Sequence, residues 1–199
     1  MERPPSYSFS VKPAYKKLAN HGIEGVTESF AHLWNLKVMS STQLYLWRAL
    51  SDRIATKLNL HKRGLTLRDT LYALCGREEE STSHILVSCK VSTTVWNLCN
   101  NWLGISLVNH NELINHFEQF WCICFNKEGN RLWKSLWVSV IWCIWNRVIF
   151  NQVKIDAVEI LTMAQVQSWA WMRHKVRKVK FSFSDWILFP LICINMVTK

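Results

Sequence analysis

The sequence is poor in the residues on which nucleotide chemistry usually rests. Its six glycines are isolated from one another, so no glycine-rich loop is available to cradle a phosphate. Its four aspartates, Asp52, Asp69, Asp156 and Asp185, are scattered; no adjacent pair can hold two metal ions for in-line displacement, and nothing gathers them as a nuclease site requires. Proline is as scarce as aspartate, and with so little glycine this excludes collagen-like and low-complexity chains. The opening MERPPSYSFS has no apolar h-region, so a secretory signal is not expected. The longest strongly apolar stretch, residues 134 to 146, falls short of the roughly 20 residues a membrane span needs. The seven cysteines are odd in number and irregularly spaced, unlike a secreted disulfide framework, and read as reduced thiols of an intracellular protein. A non-enzymatic chain with no membrane segment and no small-molecule substrate is the expectation.

What is abundant is apolar, aromatic and basic. At 199 residues and 49% apolar, with twelve tryptophans, the chain can build a real core as one domain, or one domain with a helical extension. Lys and Arg outnumber Asp and Glu by 24 to 14, a net charge of +10, which favours contact with polyanions: nucleic acid first, anionic membrane second.

Along the chain, residues 7 to 11 alternate like a short edge strand or extended arm, and Pro13 with Tyr15 and Leu18 suits a brief helix. From residue 41 to 54, Leu44, Trp47, Leu50 and Ile54 recur at helical spacing. Thr56 can cap a short second helix ended by Gly64. Val95, Cys99 and Trp102 share a helix face closed by Gly104, and Leu113, Phe117, Phe120 and Cys124 mark another helix. Lys127, Glu128, Gly129 and Asn130 read as a turn before a central helix whose stripe is Trp133, Trp137, Val140, Ile141, Ile144 and Val148. Asp156 and Glu159 resemble a capping box for a last long helix through Val158, Leu161, Trp169, Met172 and Val176 into the basic run RHKVRKVK. The tail from Phe181 reads as short and irregular. Large rings on helical stripes are expected to be core; Trp121, Trp142 and Trp145 face less certain directions and are the candidates for an exposed stacking platform.

Cys75, His84 and Cys89 are separated by eight and four residues, and thiolates with an imidazole at such spacing can converge on zinc. Three protein ligands plus water is also the coordination of a catalytic zinc, and Glu78, Glu79 and Glu80 lie between the ligands; the same glutamates equally suit a solvated loop face. Lys57, His61, Lys62, Arg63 and Arg68 cluster about the short helix, and Arg173, Lys175, Arg177 and Lys178 lie in the later basic run. Both groups could track a phosphate backbone or be solvated helix faces, and the second is of the kind that serves as a nuclear localisation signal.

The order YLWRALSDRIATKLNLHKRGL, LCGREEESTSHILVSC and VWNLCNNWLGIS, flanked by FSVKPAYKKL, FAHLWNLKV, RLWKSLWVSVIWCIWN and FSFSDWILFPLICI, resembles the zinc-binding domain at the C-terminus of reverse transcriptase polyproteins in plant non-LTR (LINE-type) retrotransposons. The resemblance covers almost the whole chain. It implies a metal pattern Cys-x2-Cys-x8-His-x4-Cys, which falls on Tyr72, Cys75, His84 and Cys89, so that the first ligand is replaced by a phenol. A further departure, a short deletion, falls at IWNRVIF.

The resulting expectation is an all-α or α-dominated fold: a helix pair, a small Cys/His knuckle that could include a tiny hairpin, and a helical C-terminal half. Residues 1–29 are an arm with a short helix, 30–104 the zinc-binding domain, and 105–199 a helical extension. The implied function is non-catalytic binding of RNA or DNA, with a zinc site lacking one ligand; a non-functional retroelement remnant, or a structural or protein-interaction domain, is the alternative.

Overall fold

The computed structural model describes residues 32–36, 38–123, 125, 127–150, 156–175, 179 and 181–196. The expected strand at residues 7 to 11, the helix at Pro13 and the positions Cys124, Val176, Arg177 and Lys178 lie outside them. Two compact units divide the chain, Met1–Asn35 and Leu36–Lys199. Of the first, the described part is a 3-10 turn, His32–Asn35.

The second unit is α-dominated, as expected; among the described residues its β structure is a single antiparallel bridge, Leu71 to Glu79. Its helices are α1 (Ser40–Leu50), α2 (Lys57–Lys62), α3 (Lys90–Leu103), α4 (Leu113–Cys122), α5 (Lys127–Phe150), α6 (Ala157–Lys175), α7 (Phe183–Leu188) and α8 (Pro190–Met196), with a π-helical turn at His84–Ser88. No helix among the described residues is long and apolar enough to cross a membrane.

The Thr-x-x-Asn-Leu element explains the helix pair. Thr56 Oγ1 accepts the backbone N–H of Asn59 at 3.2 Å, capping α2. The buried Asn59 amide then donates to the carbonyls of Asp52 (2.9 Å) and Ile54 (3.1 Å) and to Asp52 Oδ1 (2.9 Å). Asp52 has φ +49, a left-handed conformation that Asn and Asp tolerate best among side-chain-bearing residues, and this bend ends α1 at Leu50. The stripe expected on α1 is therefore displaced. The helix buries Thr42, Tyr45, Leu46 and Ala49, whereas Leu44 is 40% exposed and Ile54 is buried from the loop beyond the helix. The face is set by Tyr45, whose ring meets Trp142 at 5.4 Å and Trp145 at 5.1 Å on α5.

The supposed turn at Lys127 is the first turn of α5. Gly and Asn are tolerated there because first-turn N–H groups have no helical partner, and Asn130 uses its side chain to accept the N–H of Phe125. From Leu132 to Ile141 every residue but Lys134 is buried, so α5 is enclosed on all sides rather than along one stripe. Its serines satisfy themselves by back-bonding: Ser135 to the Arg131 carbonyl (2.7 Å) and Ser139 to that of Ser135 (2.9 Å). α6 makes the largest packing contact with α5 and also packs on α3.

The fully buried tryptophans, Trp96, Trp133, Trp137 and Trp186, fill the core with their N–H groups paired, whereas the buried N–H groups of the half-buried Trp121 and Trp169 have no hydrogen-bond partner among the described residues. Trp133 stacks on Phe120 at 4.2 Å and donates to its carbonyl at 2.8 Å. Trp137 donates to Nδ1 of the buried His116 at 3.0 Å, and Trp186 to the Gln165 carbonyl at 3.2 Å. The C-terminal tail is helical, contrary to the expected irregular segment. Ser182 and Asp185 form a reciprocal capping box that starts α7, and α7 and α8 return to the bundle through Trp186, Cys193 and Ile194. At α6, Asp156 Oδ1 caps the Val158 N–H at 2.9 Å.

Candidate metal centre

The segment before α3 is folded by short-range hydrogen bonds into a knuckle. Tyr72 N–H donates to the Glu78 carbonyl (2.8 Å) and Glu80 N–H to that of Thr70 (2.7 Å), making a tiny hairpin. At its tip the Tyr72 carbonyl receives the N–H groups of Cys75 (3.2 Å) and Gly76 (2.8 Å). Gly76 turns the chain at φ +62, where a side chain would be strained. This turn folds Cys75 back toward the residues that follow.

His84 and Cys89 are delivered by the next turn. Ser81 caps it by accepting the His84 N–H on Oγ at 3.1 Å. The Cys89 N–H then reaches back five residues to the His84 carbonyl at 2.8 Å, a π-helical bond of the kind that recurs at functional sites. The carbonyls of Ile85, Leu86 and Val87 accept from Ser92 Oγ, Trp96 Nε1 (2.9 Å) and Thr93 Oγ1 (3.2 Å). The Val95-Trp96 element of α3 thus anchors the knuckle to the core.

The three donors come together. Cys75 Sγ lies 3.2 Å from His84 Nε2, and the donor atoms of Cys75, His84 and Cys89 all lie within 4.8 Å of one another. About 3.5–3.8 Å separates neighbouring nitrogen and sulfur ligands around tetrahedral zinc, given bonds of about 2.0 and 2.3 Å, so shifts of about an ångström bring the three into coordination range. His84 and Cys89 are buried and Cys75 half-buried. His84 Nδ1 faces Glu78 Oε2 at 2.9 Å and the Ser88 hydroxyl at 3.4 Å. A carboxylate on the far nitrogen fixes the ring and raises the basicity of the liganding one. Burial pushes the Cys89 thiol above its usual pKa, while the Val91 and Ser92 N–H groups at the start of α3 pull the other way; a bound cation would complete that pull and hold the thiolate. These residues fit a thiophilic ion with three donors.

The fourth corner is different. Tyr72 is 3% exposed, and its ring meets His84 edge-on at 5.4 Å. Burial, and the charges of Cys89, Glu80 and Cys75, raise its pKa well above the ordinary phenol value, so it stays a neutral hydroxyl. Cys99 does not substitute: it sits ten residues along α3 from Cys89, about 15 Å away by helix rise, outside the donor group, and burial pushes its thiol up to about 12.

The basic residues divide. Lys57 is held by Asp69 at 3.0 Å and the Leu71 carbonyl at 2.8 Å. Lys62 is exposed, 3.6 Å from Asp52. Arg63 is exposed and donates to the Arg53 carbonyl at 3.0 Å. His61 and Arg68 are exposed. Arg173, also exposed, lies over Trp169 at 5.1 Å; Lys175 closes α6, its side chain outside the described set. The three tryptophans considered for a platform are half-buried and packed: Trp142 and Trp145 on Tyr45, Trp121 on Phe117 at 4.4 Å.

The sequence placed Glu78, Glu79 and Glu80 between the ligands without separating their roles, and it gave no signal for Arg53. Glu78 was indistinguishable from its neighbours in a Glu run, yet it alone reaches His84. Glu80 pins the hairpin to α2, its Oε1 accepting the Lys57 N–H at 3.0 Å; Glu79 accepts from Thr70 at 3.0 Å. Arg53 lies over the half-buried Trp47 at 5.6 Å. A polar cleft of about 600 Å³, lined by Arg77, Glu78, Glu79, His84, Ser88 and Glu112 among others, opens beside the site. Its lining includes Glu78 and Ser88, the two residues that face His84 Nδ1.

Residues 9–96 match the family model described as zinc-binding in reverse transcriptase. The matched stretch contains Tyr72, Cys75, His84 and Cys89 and ends at Trp96, which is bonded to the knuckle; α4 to α8 lie beyond it. No curated protein and no solved structure matches the chain.

Proposed function

We propose that this chain is a non-catalytic nucleic-acid-binding module of the reverse-transcriptase-associated type, derived from the tail of a plant non-LTR retrotransposon polyprotein and working inside the cell on RNA or DNA. The observation that carries this reading is the convergence of Cys75, His84 and Cys89 inside the stretch that matches the reverse-transcriptase family.

The knuckle's part is mechanical. Its hairpin is bonded to the start of α2 through Lys57 and Glu80, with a further bond from the Leu58 N–H to the Glu80 carbonyl at 3.3 Å. A metal that orders the hairpin therefore orders α2, which presents Lys62 and Arg63 next to Arg53. With a net charge of +10, such a face attracts phosphates and releases their counterions.

The absence of catalysis is supported by the aspartates, whose described bonds are structural. Asp52 serves Asn59, Thr82 (2.7 Å) and Lys62; Asp69 serves Lys57; Asp156 and Asp185 cap helices. A catalytic zinc is disfavoured because Glu78, Glu79 and Glu80, the carboxylates nearest the ligands in sequence, are engaged with His84, Thr70 and the Lys57 N–H. Filter binding of single-stranded RNA and duplex DNA across a salt series tests the reading. The expected result is log affinity falling linearly with log salt, with a slope of about −3 to −5 for a few phosphates. Weak, salt-independent retention would favour the remnant that the loss of a ligand at Tyr72 suggests.

A further inference from the structure

We propose that Cys75, His84 and Cys89 form a three-coordinate centre for a soft monovalent ion, copper(I), in preference to zinc. This rests on reading the knuckle as a metal site and changes the ion assigned to it.

The argument is one of coordination. Structural zinc is almost always four-coordinate, and where protein supplies three ligands a water or substrate takes the fourth place. The first route is closed here, and the second would leave zinc with an exchangeable water in place of a protein ligand. The residue at the fourth corner is a tyrosine, whose hard phenolic oxygen is a poor match for a thiolate-rich site. The same ring, 3% exposed and set edge-on against His84 at 5.4 Å, puts apolar carbon rather than a donor beside the imidazole. Glu78, the carboxylate bonded to His84, engages Nδ1 on the side away from Cys75, so it is a positioning residue and not a fourth donor.

Copper(I) does not require the missing ligand. It has a filled d shell, accepts three ligands in a plane, and is selected by soft thiolates. Two thiolates and a neutral imidazole around a monovalent ion leave one net negative charge. The N–H groups of Val91 and Ser92, bonded to the Cys89 sulfur at the N-terminus of α3, face that charge.

The test uses the full chain under anaerobic conditions, with copper supplied as copper(I) in ascorbate and zinc as its sulfate, each competed against a chromophoric chelator of known affinity. Bound metal is counted by mass spectrometry, and copper–thiolate bonding is read from its ultraviolet charge-transfer absorption. Wild type is expected to hold one copper(I) per chain, tighter than zinc by roughly tenfold or more, as the loss of one ligand from zinc alone implies. Tyr72→Cys is expected to tighten zinc by restoring a tetrahedral set and so to narrow the gap between the two ions. Cys75→Ser, at the half-buried ligand, is expected to lose the absorption band while keeping the helical circular dichroism. Tight one-to-one zinc with weaker copper in wild type would overturn this proposal and leave the zinc reading standing. Retention of neither ion by a folded chain would overturn both.

Discussion

Glu78 holds His84 by Nδ1 at 2.9 Å, and the opposite ring nitrogen, Nε2, is thereby the one that faces Cys75 at 3.2 Å. The carboxylate is two-thirds exposed, so it contributes little to the core and much to the direction of the ring. Glu78→Ala should weaken metal binding by about 10–100-fold while leaving the thermal midpoint of the metal-free chain unchanged. Glu78→Gln, which keeps an acceptor oxygen, should recover part of the loss. Chelator competition measures both, and an unaltered affinity in the alanine variant would make Glu78 a bystander.

Asn59 joins α1 to α2 by donating to two backbone carbonyls and the Asp52 side chain from a buried position. Asn59→Ala strands those carbonyls and should cost about 2–3 kcal/mol of stability. Urea denaturation followed by circular dichroism reads this directly, and a change within about 0.5 kcal/mol, as at an ordinary surface site, would be inconsistent with the clamp.

His116 sits between Trp96 and Trp137, and burial, assisted by His110, lowers its pKa to about 4. In the unfolded chain it titrates near ~6.5. Between these values the unfolded state binds the extra proton, so the contribution to stability is fully present above pH ~6.5 and declines as pH falls toward 4, by up to ~3 kcal/mol. Thermal melts from pH 7.5 to 4.5 should slope downward in wild type and be flatter in His116→Gln, even though that variant starts lower. Parallel curves would refute the assignment.

Arg53 and Arg63 are exposed neighbours on the α2 face, whereas Lys57 is tied to Asp69 and Leu71. If the face binds phosphates, Arg53→Gln with Arg63→Gln should shallow the log-affinity against log-salt slope by about 1.4–1.8, two phosphate contacts' worth. Lys57→Gln should instead loosen the hairpin and change the slope little. Equal effects at all three positions would mean the charge acts without a defined surface.

Capping and termination were readable in the sequence because they depend on neighbours: Thr56 and Gly64 bound α2, Gly104 closes α3 at φ +65, and the knuckle ligands meet. What was misread depends on partners far along the chain. The buried face of α1 turns on Tyr45 meeting Trp142 and Trp145, which spacing on α1 alone cannot reveal. Gly129 and Asn130 carry the same signal in a turn and in a first helical turn. The capping box at Ser182 and Asp185 is a four-residue cue followed by too few residues to display a period. Glu78 differs from Glu79 and Glu80 only in where the hairpin aims it.

The π-helical bond between Cys89 and His84 carries one residue more than an α-helical turn would. That residue advances everything after it by roughly 100° about the helix axis. Cys89 is at once a candidate metal donor and the cap from which α3 sends Val95, Trp96, Cys99 and Leu103 into the core. The interval from His84 to Cys89 therefore sets a phase between two halves of the protein. A single insertion or deletion there would force a choice: the sulfur stays in register with Cys75 and the core helix is rotated out, or the helix stays and the sulfur turns away.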